Sequence, residues 1–181
     1  MAKIYKIKKI PESVTQSDII WENANKAEID CYPWDTNGYT PNTEAFVVYN
    51  SKGLYVRQIS YEDEILARSV NMNDPVYRES CMEFFLMACP DNDRRYLNFE
   101  FNPLGTINLG IGEDRNHHSP ITDINPSIFN IRTSVTKESL KHYSGPCWSI
   151  RYCIPVDFLE KIFGGINLRS GMKMNGNFYK C

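Results

Sequence analysis

The chain has 181 residues, enough for one domain with a full core, and its 42% hydrophobic and 13% aromatic residues can fill one. A net charge of −2 and a pI near 5.9 give no general attraction to nucleic acid or anionic lipid, which reward a basic surface. No apolar run approaches the roughly 20 residues of a membrane helix, so neither nucleic acid nor membrane is an expected partner.

The N-terminus, Met1 to Ile10, is basic, but Pro11 to Asp18 stands where an export signal needs an apolar stretch, which predicts a cytoplasmic protein. Ile4 to Lys9 alternate as an amphipathic first strand. Ala45 to Tyr49 and Gly53 to Ser60 read as a hairpin around Asn50-Ser-Lys-Gly53, with Gly53 available for a positive φ. Further strands are expected at 81–87, 96–102, 106–111, 129–135, 147–154 and 172–181. Turn chemistry separates them at Asp91-Asn-Asp93, Asn102-Pro-Leu-Gly105 and Ser144-Gly-Pro146. One short helix is predicted over 156–163, opened by Pro155 and stopped by Gly164-Gly165. Many short strands and few helices predict a single all-β domain, a sandwich or barrel, without repeats or linkers.

Tyr96-Leu-Asn-Phe-Glu-Phe-Asn102 is the most informative strand. Alternation turns Leu97, Phe99 and Phe101 into a core and leaves Tyr96, Asn98, Glu100 and Asn102 as a polar ladder on the other face. Such a ladder suits sugar hydroxyls, which both donate and accept, although an ordinary solvated face has the same pattern. Glu83 interrupts the apolar run Cys81 to Met87 and must meet solvent, a partner or a ligand.

Other chemistry is weaker. The six cysteines have no C-x-x-C spacing, so they are expected to be reduced and mostly buried, with no zinc site or redox dithiol. His117-His118 beside Glu113-Asp114 lacks a third spaced metal ligand. Asp91 and Asp93 could hold a structural calcium ion. Met82, Met87 and Met172 read as core filler. Trp148 alternates with Ile150, Tyr152 and Ile154 as a core residue, whereas Trp34, on a loop, is a free ring candidate.

Six segments occur in one order: Trp21, Gly53-Leu-Tyr-Val56, Glu79 to Phe85, Tyr96 to Asn102 with Gly105, Trp148 to Pro155, and Gly176 to Cys181. Over roughly residues 18–181 the series resembles the family 9 carbohydrate-binding modules, of the DOMON-like superfamily, and is most similar to their stand-alone bacterial branch. The resemblance implies an antiparallel, jelly-roll-like β-sandwich that binds a mono- or oligosaccharide without turnover. It assigns Trp21 a structural position and makes Tyr77, Glu83, Asn98, Glu100 and Asn102 the carbohydrate-binding residues. Glu100 stands where sugar-binding members carry Arg. The resemblance also implies further residues after Cys181, including a last strand, so an open sheet edge could support a homodimer. Two alternatives remain at this point: an interaction domain that has lost the sugar site, and a carbohydrate-active enzyme using Glu83 and Glu100.

Overall fold

A computed structural model describes residues 3–33, 36 and 38–181; Trp34 lies outside them. In chain order the elements are β1 (Lys8–Lys9), β2 (Lys26–Ile29), β3 (Thr43–Asn50), β4 (Gly53–Ser60), β5 (Met82–Met87), β6 (Tyr96–Phe101), β7 (Ile107–Gly112), β8 (His118–Pro120), β9 (Arg132–Thr133), α1 (Lys137–Leu140), β10 (Trp148–Pro155), α2 (Val156–Phe163) and β11 (Asn175–Lys180). Short 3-10 turns at Gln16–Asp18, Trp21–Asn23, Val76–Arg78 and Pro126–Phe129 complete the set.

The strands form two sheets. One runs β1-β3-β4-β10-β9, with β2 sharing the outer edge of β3. The other is wholly antiparallel and runs β11-β5-β6-β7-β8. Period-two alternation explains the sandwich between them. Trp148, Ile150, Tyr152 and Ile154 of β10 face Met82, Phe84 and Leu86 of β5 and Leu97, Phe99 and Phe101 of β6 across one buried core. Phe101 and Tyr152 rings lie 4.4 Å apart there, and Phe99 meets Phe129 edge-on at 5.6 Å.

Strand β11 is anchored from its inner face. Phe178 stacks on Phe84 at 4.6 Å. Lys180 reaches Glu62 at 3.4 Å, with both side chains 1% exposed. The Trp148 indole N–H also donates to Glu62, at 2.5 Å, so this buried pair is hydrogen-bonded as well as charge-matched. The N-terminal segment covers the outer face of the six-stranded sheet: Ile19 and Trp21 pack there against Val48 and Tyr55 in a second small core.

The hairpin and the helix form where predicted. Gly53 serves a different purpose from the expected positive φ: a Cβ there would lie 2.5 Å from the Ile154 carbonyl oxygen, so glycine permits close pairing of β4 with β10. Gly164, at φ +67°, does end α2 in the left-handed region. The first strand is shorter than expected, because only Lys8 and Lys9 pair, in parallel with Val48 and Tyr49. Tyr5 is instead held as a side chain, its hydroxyl accepting from the Val47 N–H at 2.9 Å. Region 129–135 keeps only the two-residue strand Arg132–Thr133, because Asn130 adopts φ +45° after a 3-10 turn. Strands β2 and β8 are additional to the expected ones: β2 is a four-residue edge strand whose alternation, Lys26-Ala-Glu-Ile29, is only two apolar residues long, and β8 is exposed throughout.

Candidate carbohydrate-binding site

Register on the five-stranded sheet decides which side chains share its outer face. Glu83 lies opposite Glu100 and Tyr179, Phe85 opposite Asn98 and Asn177, Asn98 opposite Gly110, and Tyr96 opposite Gly112. A pocket of about 880 Å³ opens on this face, walled by Tyr77, Glu83, Phe85, Tyr96, Asn98, Arg115, His118, Asn177, Tyr179 and Cys181 among others.

A row of rings crosses the pocket floor. Tyr179 meets Phe85 edge-on at 5.1 Å, Phe85 meets Tyr96 at 5.5 Å, and Tyr96 stacks with His118 at 5.7 Å. Glycine makes the last contact possible. A Cβ at Gly110 would fall 1.9 Å from the His118 Cε1, so the imidazole can lie across β7 only because position 110 has no side chain. Burial pulls His118 below the ordinary histidine pKa, which keeps the ring neutral near pH 7. Tyr77 stands at the rim, 48% exposed, with the Arg78 guanidinium 5.7 Å from its ring centre.

Beside the rings sits a buried polar group. Glu83 and Glu100 are directly opposed, at 7% and 8% exposure. Asn98 donates to Glu100 at 2.7 Å, and Asn108 donates to its other oxygen at 3.2 Å. Burial, and then the neighbouring Glu83 charge, push the Glu100 carboxyl up to about 8. Burial raises Glu83 as well, partly offset by hydrogen bonds from Cys181 and Asn98. The Asn98 Oδ1 is buried and has no hydrogen-bond partner. An unsatisfied buried acceptor costs about 1–3 kcal/mol, and a hydroxyl arriving from the pocket would satisfy it.

The five residues expected to bind carbohydrate therefore divide. Tyr77, Glu83 and Asn98 line the pocket together. Glu100 lies beneath them, held between Asn98 and Asn108. Asn102 belongs elsewhere. It is fully buried, donates to the Ser69 carbonyl and to Glu79 at 2.9 Å each, and accepts from the Leu104 and Thr106 N–H groups. The 66–80 segment thus seals that end of the ladder, where Asn102 ties the loop to the sheet and does not line the pocket. The ladder is not a solvated face: Asn98, Glu100 and Asn102 are all buried.

Phe85 and Tyr179 were not singled out from the sequence. Period-two alternation could have found both, since Phe85 follows Glu83 by two positions and Tyr179 follows Asn177 by two. The residues at Asp91 and Asp93 do not fit a calcium ion, because Arg95 engages both Asp93 oxygens at 3.1 Å or less and supplies the positive charge. His117 bonds Asp114 while His118 turns over the sheet, so the two rings do not converge. The cysteines are free but less buried than expected: only Cys81 is buried, and Cys31 and Cys181 are exposed. Trp148 is a core residue with no exposure, and Trp21 is buried.

Comparison with known proteins bears on the family and the fold. The model of carbohydrate-binding family 9 matches residues 14–181. A candidate carbohydrate-binding protein from Bacteroides uniformis shares the fold with a TM-score of 0.78 at 20% identity, over 97% of this chain and 82% of that one. A family 9 carbohydrate-binding module from Caldicellulosiruptor kristjanssonii, solved with glucose, gives a TM-score of 0.61 at 16% identity, over 97% of this chain and 75% of that one. The same organism's module with cellotriose gives 0.57 at 16% identity, over 95% and 73%. No curated protein matches the sequence.

Proposed function

The chain belongs to carbohydrate-binding family 9, and from that premise we propose that it binds a mono- or oligosaccharide, without turnover, in the pocket on the outer face of its five-stranded sheet. The carrying observation is the unpartnered Asn98 Oδ1 beside the row Tyr179, Phe85, Tyr96 and His118. Sugars present C–H faces that pack on rings and hydroxyls that satisfy orphaned acceptors. The relatives solved with glucose and cellotriose support this ligand class.

Binding is favoured over hydrolysis by the placement of the carboxyls. Glycosidases hold two carboxyl groups on either side of the scissile bond, one of them ionised. Glu83 and Glu100 are cross-strand neighbours on one face, and both are shifted toward the neutral form.

Calorimetric titration with glucose, cellobiose, cellotriose and xylo-oligosaccharides tests the reading. At least one is expected to bind, with affinity lost in Asn98→Ala and Phe85→Ala. A folded protein silent toward the whole panel would sink it in favour of an interaction domain. Release of reducing sugar would overturn the non-catalytic part.

A further inference from the structure

Glu83 and Glu100 lie side by side and buried, and among the described residues no Lys, Arg or His pairs with either. Lys180, the nearest cation along the chain to Cys181, is committed to Glu62. What stands beside Glu83 instead is a pair of thiols. Cys81 precedes β5 and Cys181 follows β11, and the Cys181 N–H donates to the Cys81 carbonyl at 3.0 Å, which continues the strand pairing. The Cys181 thiol in turn donates to the Glu83 carboxyl at 2.8 Å. One donor atom from each of Cys81, Glu83 and Cys181 lies within 4.8 Å of the other two.

We propose that Cys81, Glu83 and Cys181 form a binding site for one borderline-soft divalent cation of the zinc type. Zinc takes thiolate sulfur at about 2.3 Å and carboxylate oxygen at about 2.0–2.2 Å, which places tetrahedral donors roughly 3.5–3.8 Å apart. To reach that arrangement the Cys181 Sγ and Glu83 oxygen, now 2.8 Å apart in a hydrogen bond, must open by about 0.8 Å, while the remaining separations, within 4.8 Å, close by about 1 Å. Two sulfurs with one oxygen favour zinc or cadmium over calcium or magnesium, which take oxygen alone. Coordination is completed from the pocket, because Glu83 and Cys181 both line it. On binding, the two thiol protons and any proton on Glu83 pass to buffer, so affinity rises with pH. Spacing along the sequence could not show this site, since Cys81 and Cys181 meet only through the pairing of β5 with β11.

The inference uses one wall of the pocket but requires no sugar, so it can be tested with the metal alone. The reduced protein is titrated with cadmium, watching thiolate-to-metal charge-transfer absorption, and with zinc against a chromophoric chelator. One equivalent per chain is expected. The band should vanish in Cys181→Ser, an exposed position where folding is safe, and in Cys81→Ser. Glu83→Gln should weaken zinc by about tenfold or more, the usual scale for a lost ligand-shell group, while Cys31→Ser leaves binding intact. No band, or a band that survives Cys181→Ser, overturns the site and leaves the carbohydrate reading standing.

Discussion

The two ends of the β6 ladder start from the same chemistry and reach opposite fates. Asn98, in β6, and Asn102, the residue that follows its last, are both asparagines, four residues apart. Asn98 lines an open pocket with its Oδ1 unpartnered, while Asn102 has its amide and its carbonyl taken by Ser69, Glu79, Leu104 and Thr106. The difference lies in what crosses above them. The 66–80 segment is pinned over Asn102 by paired bonds between Leu66 and Ser80 and by Ser69 donating to Glu79 at 2.8 Å. Burial alone would raise the Glu79 carboxyl, but the hydrogen bonds from Asn102 and Ser69 outweigh it and hold the group below its ordinary value. A satisfied buried amide is scaffold; a buried acceptor left open at a pocket is a place for a ligand.

Substitution at both asparagines breaks this comparison if it is wrong. Asn102→Ala removes the tie and orphans the Leu104 and Thr106 N–H groups, so unfolding free energy should fall by about 2–4 kcal/mol in urea titrations. Sugar affinity of the folded fraction should stay as it was. Asn98→Ala should do the reverse, losing about tenfold in affinity, or ~1.4 kcal/mol, with a smaller change in stability. Equal effects of the two variants on both measurements would erase the distinction.

Glu100 sharpens the same boundary, because it is the ladder residue between the two fates. Its carboxyl is pushed from the ordinary 4.5 up to about 8. Between those values the folded protein keeps a proton that the unfolded chain has released, so this group's contribution to stability falls as pH rises through the window. Glu100→Gln removes that penalty. The variant should gain on the order of 2 kcal/mol over the parent at pH 8 and little at pH 5, by denaturation at both values. An equal gain at both would mean that Glu100 is ionised throughout.

The sequence made the inner faces legible because period-two alternation is a local signal: Leu97, Phe99, Phe101, Trp148 and Tyr152 all point where their pattern sends them. It placed Tyr77, Glu83 and Asn98 in one neighbourhood through the family resemblance. It could not separate Asn98 from Asn102, since the separating element is a loop some 30 residues upstream whose path follows from tertiary contacts. Nor could it see Tyr179 beside Phe85, because β11 reaches β5 only after the sandwich closes. Edge strands such as β8, exposed on every residue, carry no pattern to read.

The smallest expected effect concerns the far wall, where His118 depends on Gly110. Gly110→Ala would drive a methyl into the imidazole, but that ring is exposed and can swing outward, so stability should fall by less than about 1 kcal/mol. The stack on Tyr96 would be lost, and with it one edge of the ring row, so sugar affinity should drop by a few fold. His118→Ala loses the same stack without the clash. If Gly110 acts only by making room, the double variant Gly110→Ala/His118→Ala should bind like His118→Ala alone. A further loss in the double variant would show that the Gly110 backbone itself meets the ligand, and would extend the site onto β7.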